Sequence, residues 1–442
     1  MDMRRKYAIL LLLPVLLTAC KFGREESVDF TQITGLDSTM FRVVAQHEVD
    51  LENGFPMNCY LPDGMRINEY EEQAEESNMG PRKTSSVTGA AIVQSLLDWG
   101  NGKKVIEVVG TYPSMDSEGN DVTLSGKVML PVGRRPKRMI LVSHYTVGSN
   151  MEAPSNAFSL EGVLVEMGYG LVIPDYLGYG VTVDKIHPYL VMDITALNVI
   201  DMWLAVRPWL KAVGMEPEQE DINLMGYSQG GATTMAVLRM IELAFSNPKH
   251  KEYIPVHRVF AGGGPYDVKA TYERFVTTDT AGYPVAVPLV LQGMIEGYGI
   301  DVKMEDMVQP WLCEKIDDWI NSKRYTTGQI NSFIKTRRTH DLLTPEAMQQ
   351  SSEKVAELYK AMTDNSIISY DWQPEAPIYL MHSIDDETVP YTNAVNAKNK
   401  WRNANIEYNF GHYGTHVRTC LRFIYSVQTL LEQEEKERGQ YE

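Results

Sequence analysis

The sequence has no excess of positive charge. Its 442 residues hold 41 Lys and Arg against 58 Asp and Glu, a formal net charge of -17. Phosphate recognition needs clustered Lys and Arg, and no basic stripe is present, so nucleic acid is not an expected partner. The acidity reads as a hydrated surface. Cysteine is also scarce, at four residues, and no C-x-x-C or His-Cys cluster occurs, so no metal site is indicated. There is no apolar run of the roughly 20 residues needed to cross a bilayer. No internal repeat or low-complexity tract breaks the chain into modules. What remains is an ordinary globular composition, long enough for two or three small domains or one large α/β domain with insertions.

The first twenty residues stand apart. Arg4, Arg5 and Lys6 precede an apolar run from Ala8 to Leu17, the pattern of an export signal. The run ends Leu17-Thr18-Ala19-Cys20, which resembles the lipobox of bacterial lipoproteins. That resemblance implies removal of residues 1–19 and lipidation of Cys20. A membrane partner through this anchor, at the outer membrane of a bacterial envelope, is the resulting expectation. With Cys20 so used, Cys59, Cys313 and Cys420 can form at most one disulfide.

Residues 20–100 read as a tether and an extension, irregular or helical, with Ala90–Trp99 at helical spacing. From Lys103 the pattern changes. Val105–Val109 and Thr123–Leu130 are β-rich and flank the turn Ser117–Asp121, which predicts an antiparallel hairpin. Short apolar strands and helices then alternate. The strands are Arg138–Ser143, Leu171–Pro174, Ile222–Met225 and Val256–Ala261. The helices are Asn156–Met167, Tyr189–Leu210 and Gln229–Leu243. This pattern predicts a mostly parallel sheet covered on both faces. Residues 269–365 read as amphipathic helices. Alternation resumes with strand Ile378–His382, helix Thr392–Arg402, strand Ile406–Phe410 and helix His416–Glu432. The expected organisation is one α/β core, residues 101–268 and 366–442, interrupted by a helical cap or lid at 269–365.

The chemistry centres on Gly226-Tyr227-Ser228-Gln229-Gly230. A G-x-S-x-G run is a weak signal alone, but here it joins a strand directly to a helix, the setting a nucleophile elbow requires. A serine hydroxyl needs a base, and the base needs an orienting acid. In this setting the acid and then the histidine follow the serine along the chain. After strand Ile378–His382 comes Ser383-Ile384-Asp385-Asp386-Glu387-Thr388-Val389-Pro390. Asp386 has the spacing to Val-Pro expected of the acid, with Asp385 and Glu387 as rivals and Asp267 as a more distant one. His412 and His416 both lie between the last strand and the last helix. His416, which opens the helix, is the preferred base. Backbone N–H groups of Gln229 and of Tyr145 or Thr146 are the expected oxyanion donors.

These residues resemble the α/β-hydrolase superfamily, and more closely its secretory lipase group. The likeness runs from about Ile106 to the C-terminus. It is carried by Gly119-Asn120-Asp121-Val122, Ser143-His144-Tyr145-Thr146-Val147-Gly148, Pro174-Asp175-Tyr176-Leu177-Gly178-Tyr179-Gly180, His187-Pro188-Tyr189, the elbow, and Gly264-Pro265-Tyr266-Asp267. The resemblance implies an α/β-hydrolase fold and hydrolysis of a small-molecule ester or lipid by Ser228, Asp386 and His416, without a cofactor. It also implies a lid over an acyl pocket, for which Tyr283, Met294, Tyr298, Met304, Met307 and Trp311 are candidates. Tyr145 and Ser383 stand where the group often has glycine. A serine peptidase on the same fold and a catalytically silent surface binding protein are the rival readings.

Overall fold

The computed structural model describes residues 40–51, 54–70, 96, 104–249, 252–349, 352–402 and 405–438. The export signal, Cys20, the start of the tether and most of Ala90–Trp99 lie outside the described residues. The strands are β1 (Arg42–Asp50), β2 (Lys104–Met115), β3 (Asp121–Pro131), β4 (Met139–Ser143), β5 (Gly170–Pro174), β6 (Ile222–Tyr227), β7 (Val256–Gly262), β8 (Ile378–Ser383) and β9 (Ile406–Gly411). They form one sheet in the order β1-β2-β3-β5-β4-β6-β7-β8-β9. The pairs from β1 to β5 are antiparallel and those from β5 through β4 to β9 are parallel.

Side chains alternate across this sheet, as period-2 geometry demands. Leu141, Leu224, Val259 and Ala261 face one core, and Ile140, Val142, Met225 and Phe260 face the other. Helices α1 (Met192–Ala212) and α2 (Gln229–Ala244) cover the first face. The closing helix, His416–Arg438, covers the second with Leu421, Phe423 and Ile424. Because both faces are buried, β4, β5, β6 and β8 are apolar almost throughout.

Between β7 and β8 the chain folds into helices α3 (Val268–Thr278), α4 (Ala286–Tyr298), α5 (Thr327–Ile334) and α6 (Glu353–Asn365), with short helical turns between them. Helices α7 (Thr392–Lys400) and α8 (His416–Arg438) complete the described chain.

Three local expectations need correction. Residues 42–50 form a strand, not an irregular or helical extension. The strand lies at the sheet edge with nearly every residue exposed, so it shows none of the alternation by which strands are read. The helix expected over Asn156–Met167 is confined to a 3-10 turn at Leu160–Gly162 and one α-helical turn at Val163–Glu166. Upstream of it, Phe158 pairs with Cys59 in a parallel bridge, and the Ser155 N–H donates to Asp175 Oδ1 at 2.8 Å. Helix α1 starts at Met192 rather than Tyr189, because Leu190 adopts a left-handed φ of 59°. Cys59, Cys313 and Cys420 are all free thiols.

Candidate active site

Ser228 sits between β6 and α2 with φ 58° and ψ -126°, a conformation few L-residues adopt and one that costs about 1–3 kcal/mol. Its N–H donates to the Gly262 carbonyl at the end of β7, 2.8 Å away. The turn leaves no room for side chains two places on either side. A Cβ on Gly226 would stand 2.3 Å from the Gly230 carbonyl oxygen, and one on Gly230 would stand 1.9 Å from that of Ser143. Gly230→Ala is therefore expected to cost about 3 kcal/mol of stability, read as a lower urea midpoint. An unchanged midpoint would mean that β4 and α2 separate more easily than this packing implies.

Ser228, His416 and Asp386 come together although 158 residues separate the first from the acid. His416 Nε2 lies 2.8 Å from Ser228 Oγ, and His416 Nδ1 lies 2.7 Å from Asp386 Oδ2. A carboxylate can only accept, so Nδ1 carries the proton and Nε2 offers its lone pair to the serine hydroxyl. The other oxygen of Asp386 accepts from the N–H groups of Thr388 and Val389 at 2.9 and 2.8 Å. His382 Nε2 stands 3.0 Å from the Val389 carbonyl, bracing the same loop. The Tyr227 hydroxyl holds the His416 carbonyl at 2.7 Å.

All three side chains are buried. Burial alone would raise the Asp386 pKa; the charge and hydrogen bond of His416, with His382 behind it, more than offset this and hold it below the usual carboxylate value. Burial alone would lower His416; the Asp386 charge and hydrogen bond, then Glu387 and Asp63, outweigh it and raise the imidazole above 6.5.

The rival residues are engaged elsewhere. Asp385 and His412 pair with each other at 2.8 Å on the surface. Glu387 accepts the backbone N–H of His416 at 3.1 Å. Asp267 caps α3 through the Ala270 N–H and also accepts from Asn396.

Thr146 lines the same cavity as Ser228 and His416, whereas the Tyr145 hydroxyl points away to the Tyr60 carbonyl. Among the described residues, the backbone N–H groups of Tyr145, Thr146 and Gln229 all have no acceptor, and of the first two it is Thr146 that lines the cavity. The loop that carries Thr146 is fixed beyond it by Glu152, whose carboxylate accepts from Gly148 and Ser149 at 3.0 and 2.8 Å. Burial pushes that carboxyl up to about 7.

The cavity measures about 1010 Å³. One wall is the segment Tyr60–Arg66, which sequence reasoning did not single out and which carries no motif. A further part of the lining comes from the helical segment after β7 and includes Phe275, Tyr283, Val290 and Gln329. Of the expected lid residues, Tyr283 lines this cavity. Met294 and Met307 are instead core residues, while Tyr298 and Trp311 donate to Asn365 and to the Asp341 carbonyl. The lining mixes charged and polar groups such as Asp63, Arg66, Arg324 and Glu387 with the apolar ones.

A family model described as secretory lipase matches residues 150–421. A curated relative, the secreted triacylglycerol lipase LIP3 of Malassezia restricta, is 21% identical over 262 residues, 55% of this chain and 48% of the relative. The chain thus spans about half the length of that relative. Among solved structures, the rice cell wall degrading esterase LipA from Xanthomonas oryzae superposes with a TM-score of 0.62 at 22% identity, covering 76% of this chain and 91% of that one. Candida antarctica lipase A gives a TM-score of 0.51 at 16% identity, covering 71% and 73%. These likenesses establish an α/β-hydrolase fold. With more than half of its length matched by that model, the chain belongs to the secretory lipase family.

Proposed function

We propose that the protein is an exported serine hydrolase that cleaves carboxylic esters through an acyl-enzyme on Ser228. The observation that carries this reading is the single imidazole of His416, within 2.8 Å of Ser228 Oγ and 2.7 Å of Asp386. Ser228 Oγ attacks the ester carbonyl as His416 Nε2 takes its proton, and Asp386 stabilises the imidazolium that forms. The N–H groups of Gln229 and of Thr146 receive the oxyanion, aided by the positive end of α2. His416 then protonates the leaving alcohol, and water, activated by the same imidazole, releases the acid.

The helices at 269–365 act in this reading as a cap over the acyl part of the substrate. LipA is named for cell wall degradation and LIP3 for triacylglycerol. The mixed polar and apolar cavity supports a short-acyl ester over a long-chain fat. The lipobox-like run at Leu17–Cys20 supports tethering of the exported enzyme to the envelope through lipid on Cys20.

Hydrolysis of p-nitrophenyl esters of graded acyl length, beside a p-nitroanilide of the same acyl group, tests the activity. Rates highest for two- to six-carbon acyl groups, with little anilide cleavage, are expected. Faster cleavage of the amide than of the ester would favour a peptidase, and no turnover of either would refute the hydrolase.

The pH profile offers a second check. His416 must be neutral to accept the serine proton, and its pKa is raised. Protonation therefore removes the base as pH falls through a value above 6.5, so the acid limb of kcat/KM should lie above that of an ordinary histidine. An acid limb below 6.5 would contradict the electrostatic environment described for His416.

A further inference from the structure

Gln229 is the residue after the nucleophile, and its side chain is almost wholly buried, 2% exposed. A buried amide needs partners, and this one has His187, whose Nε2 lies 2.8 Å from Gln229 Nε2. His187 belongs to the loop between β5 and α1 and is itself 4% exposed. Its Nδ1 stands 2.7 Å from the Leu177 carbonyl. A carbonyl can only accept, so Nδ1 carries the proton, Nε2 is a lone pair, and the Gln229 amide donates to it. Burial, helped by the charge of Lys323, lowers the His187 pKa to about 3, so this tautomer persists throughout the working range of a hydrolase.

The ring is held rigidly. It stacks on Tyr176 at 6.0 Å with planes 6° apart, and meets Tyr179 and Tyr189 edge-on at 5.3 and 5.9 Å. Two residues along the chain, the Tyr189 hydroxyl lies 2.8 Å from Thr146 Oγ1. Pro188 joins the two and restricts the backbone between them. One three-residue segment thus touches the side chains of both Gln229 and Thr146, whose backbone N–H groups have no acceptor among the described residues.

We propose that His187-Pro188-Tyr189 is a clamp that sets the spacing of the oxyanion donors, His187 positioning Gln229 and Tyr189 positioning Thr146. The proposal rests on the ester-hydrolase reading above. Neither His187 nor Tyr189 touches the reacting atoms; both act through a neighbour. With the Gln229 amide pinned, rotation of the Ser228–Gln229 peptide would drag the side chain off its acceptor. The strained turn at Ser228 is thereby held with its following N–H aimed at the oxyanion. Preorganised donors avoid reorientation during the reaction, which is where their effect on rate originates.

Two double-mutant cycles test the clamp, with rates expressed per active site titrated by a fluorophosphonate. His187→Phe and Gln229→Leu are each expected to lower kcat about tenfold with KM within about twofold, because a misplaced donor weakens transition-state binding rather than substrate binding. Their double variant should fall no further than the worse single, since both remove one interaction. The Tyr189→Phe and Thr146→Val cycle should show the same non-additivity. His187→Gln, whose Oε1 can replace the Nε2 acceptor, should recover most of the loss. Should His187→Phe fail to fold, the milder Gln229→Leu and the second cycle still decide. Multiplicative losses in both cycles, or kcat per labelled site equal to wild type with only a lower melting temperature, would overturn the clamp. An inactive wild type would count against the hydrolase reading instead, and active variants beside an active wild type would count against the clamp alone.

Discussion

Ser228→Ala is expected to lower kcat roughly a million-fold while the protein stays folded. Without the hydroxyl, His416 has no proton to take and no acyl-enzyme can form. The substitution removes one oxygen that is bonded only to the catalytic imidazole, so no other group loses a partner. The alanine inherits the φ of 58° that the serine already tolerates. An unchanged thermal melt beside lost turnover is the expected pair of results. Residual activity above about a thousandth of wild type would show that water reaches the ester without Ser228, since loss of a nucleophile normally leaves far less than this.

Asp386→Asn should cost about ten-thousand-fold in kcat. The amide oxygen of the new side chain is needed by the N–H groups of Thr388 and Val389, so its NH2 turns toward His416 Nδ1. Nδ1 must then accept, the imidazole proton moves to Nε2, and the lone pair that deprotonates Ser228 is gone. His416→Ala should cost as much or more. By contrast, Asp385→Asn and His412→Ala change only an exposed pair, and exposed pairs contribute about 0–1 kcal/mol to stability. Both should retain activity within about twofold, because neither side chain contacts the buried base. A loss at Asp385 or His412 as large as at Asp386 or His416 would reassign the acid or the base.

The parallel half of the sheet was legible because strands buried on both faces must be short apolar runs, and β4, β5, β6 and β8 are. Ser228 could be singled out because the strand, turn and helix of its G-x-S-x-G run are contiguous in sequence; the clash at Gly226 lies within that run, whereas the one at Gly230 is with Ser143 on β4 and shows only in the fold. His416 and Asp386 could be selected only by order and by position relative to a strand end. His416 was preferred to His412 because it opens the closing helix, while its approach to Ser228 is a property of the fold. Strand β1 was hidden because an edge strand exposed on both sides has no hydrophobic period to display.

The cavity wall at Tyr60–Arg66 was hidden for a different reason. It is an irregular segment held by long-range bonds, such as Tyr145 Oη to the Tyr60 carbonyl and Tyr283 Oη to the Pro62 carbonyl. Nothing in its own residues announces those partners. The bond between His187 and Gln229, 42 residues apart, is of the same kind. His187-Pro188-Tyr189 could be noticed as a family-like string, but its contacts with Gln229 and Thr146 are properties of the fold.

Covalent trapping reports whether Ser228 is the nucleophile. The folded chain lacking residues 1–19 is treated with a fluorophosphonate, digested, and mapped by mass spectrometry, beside His416→Ala. One adduct is expected, on the peptide bearing Ser228, formed rapidly in wild type and barely at all without His416. An adduct on a different serine, or none in protein that turns over esters, would contradict that assignment.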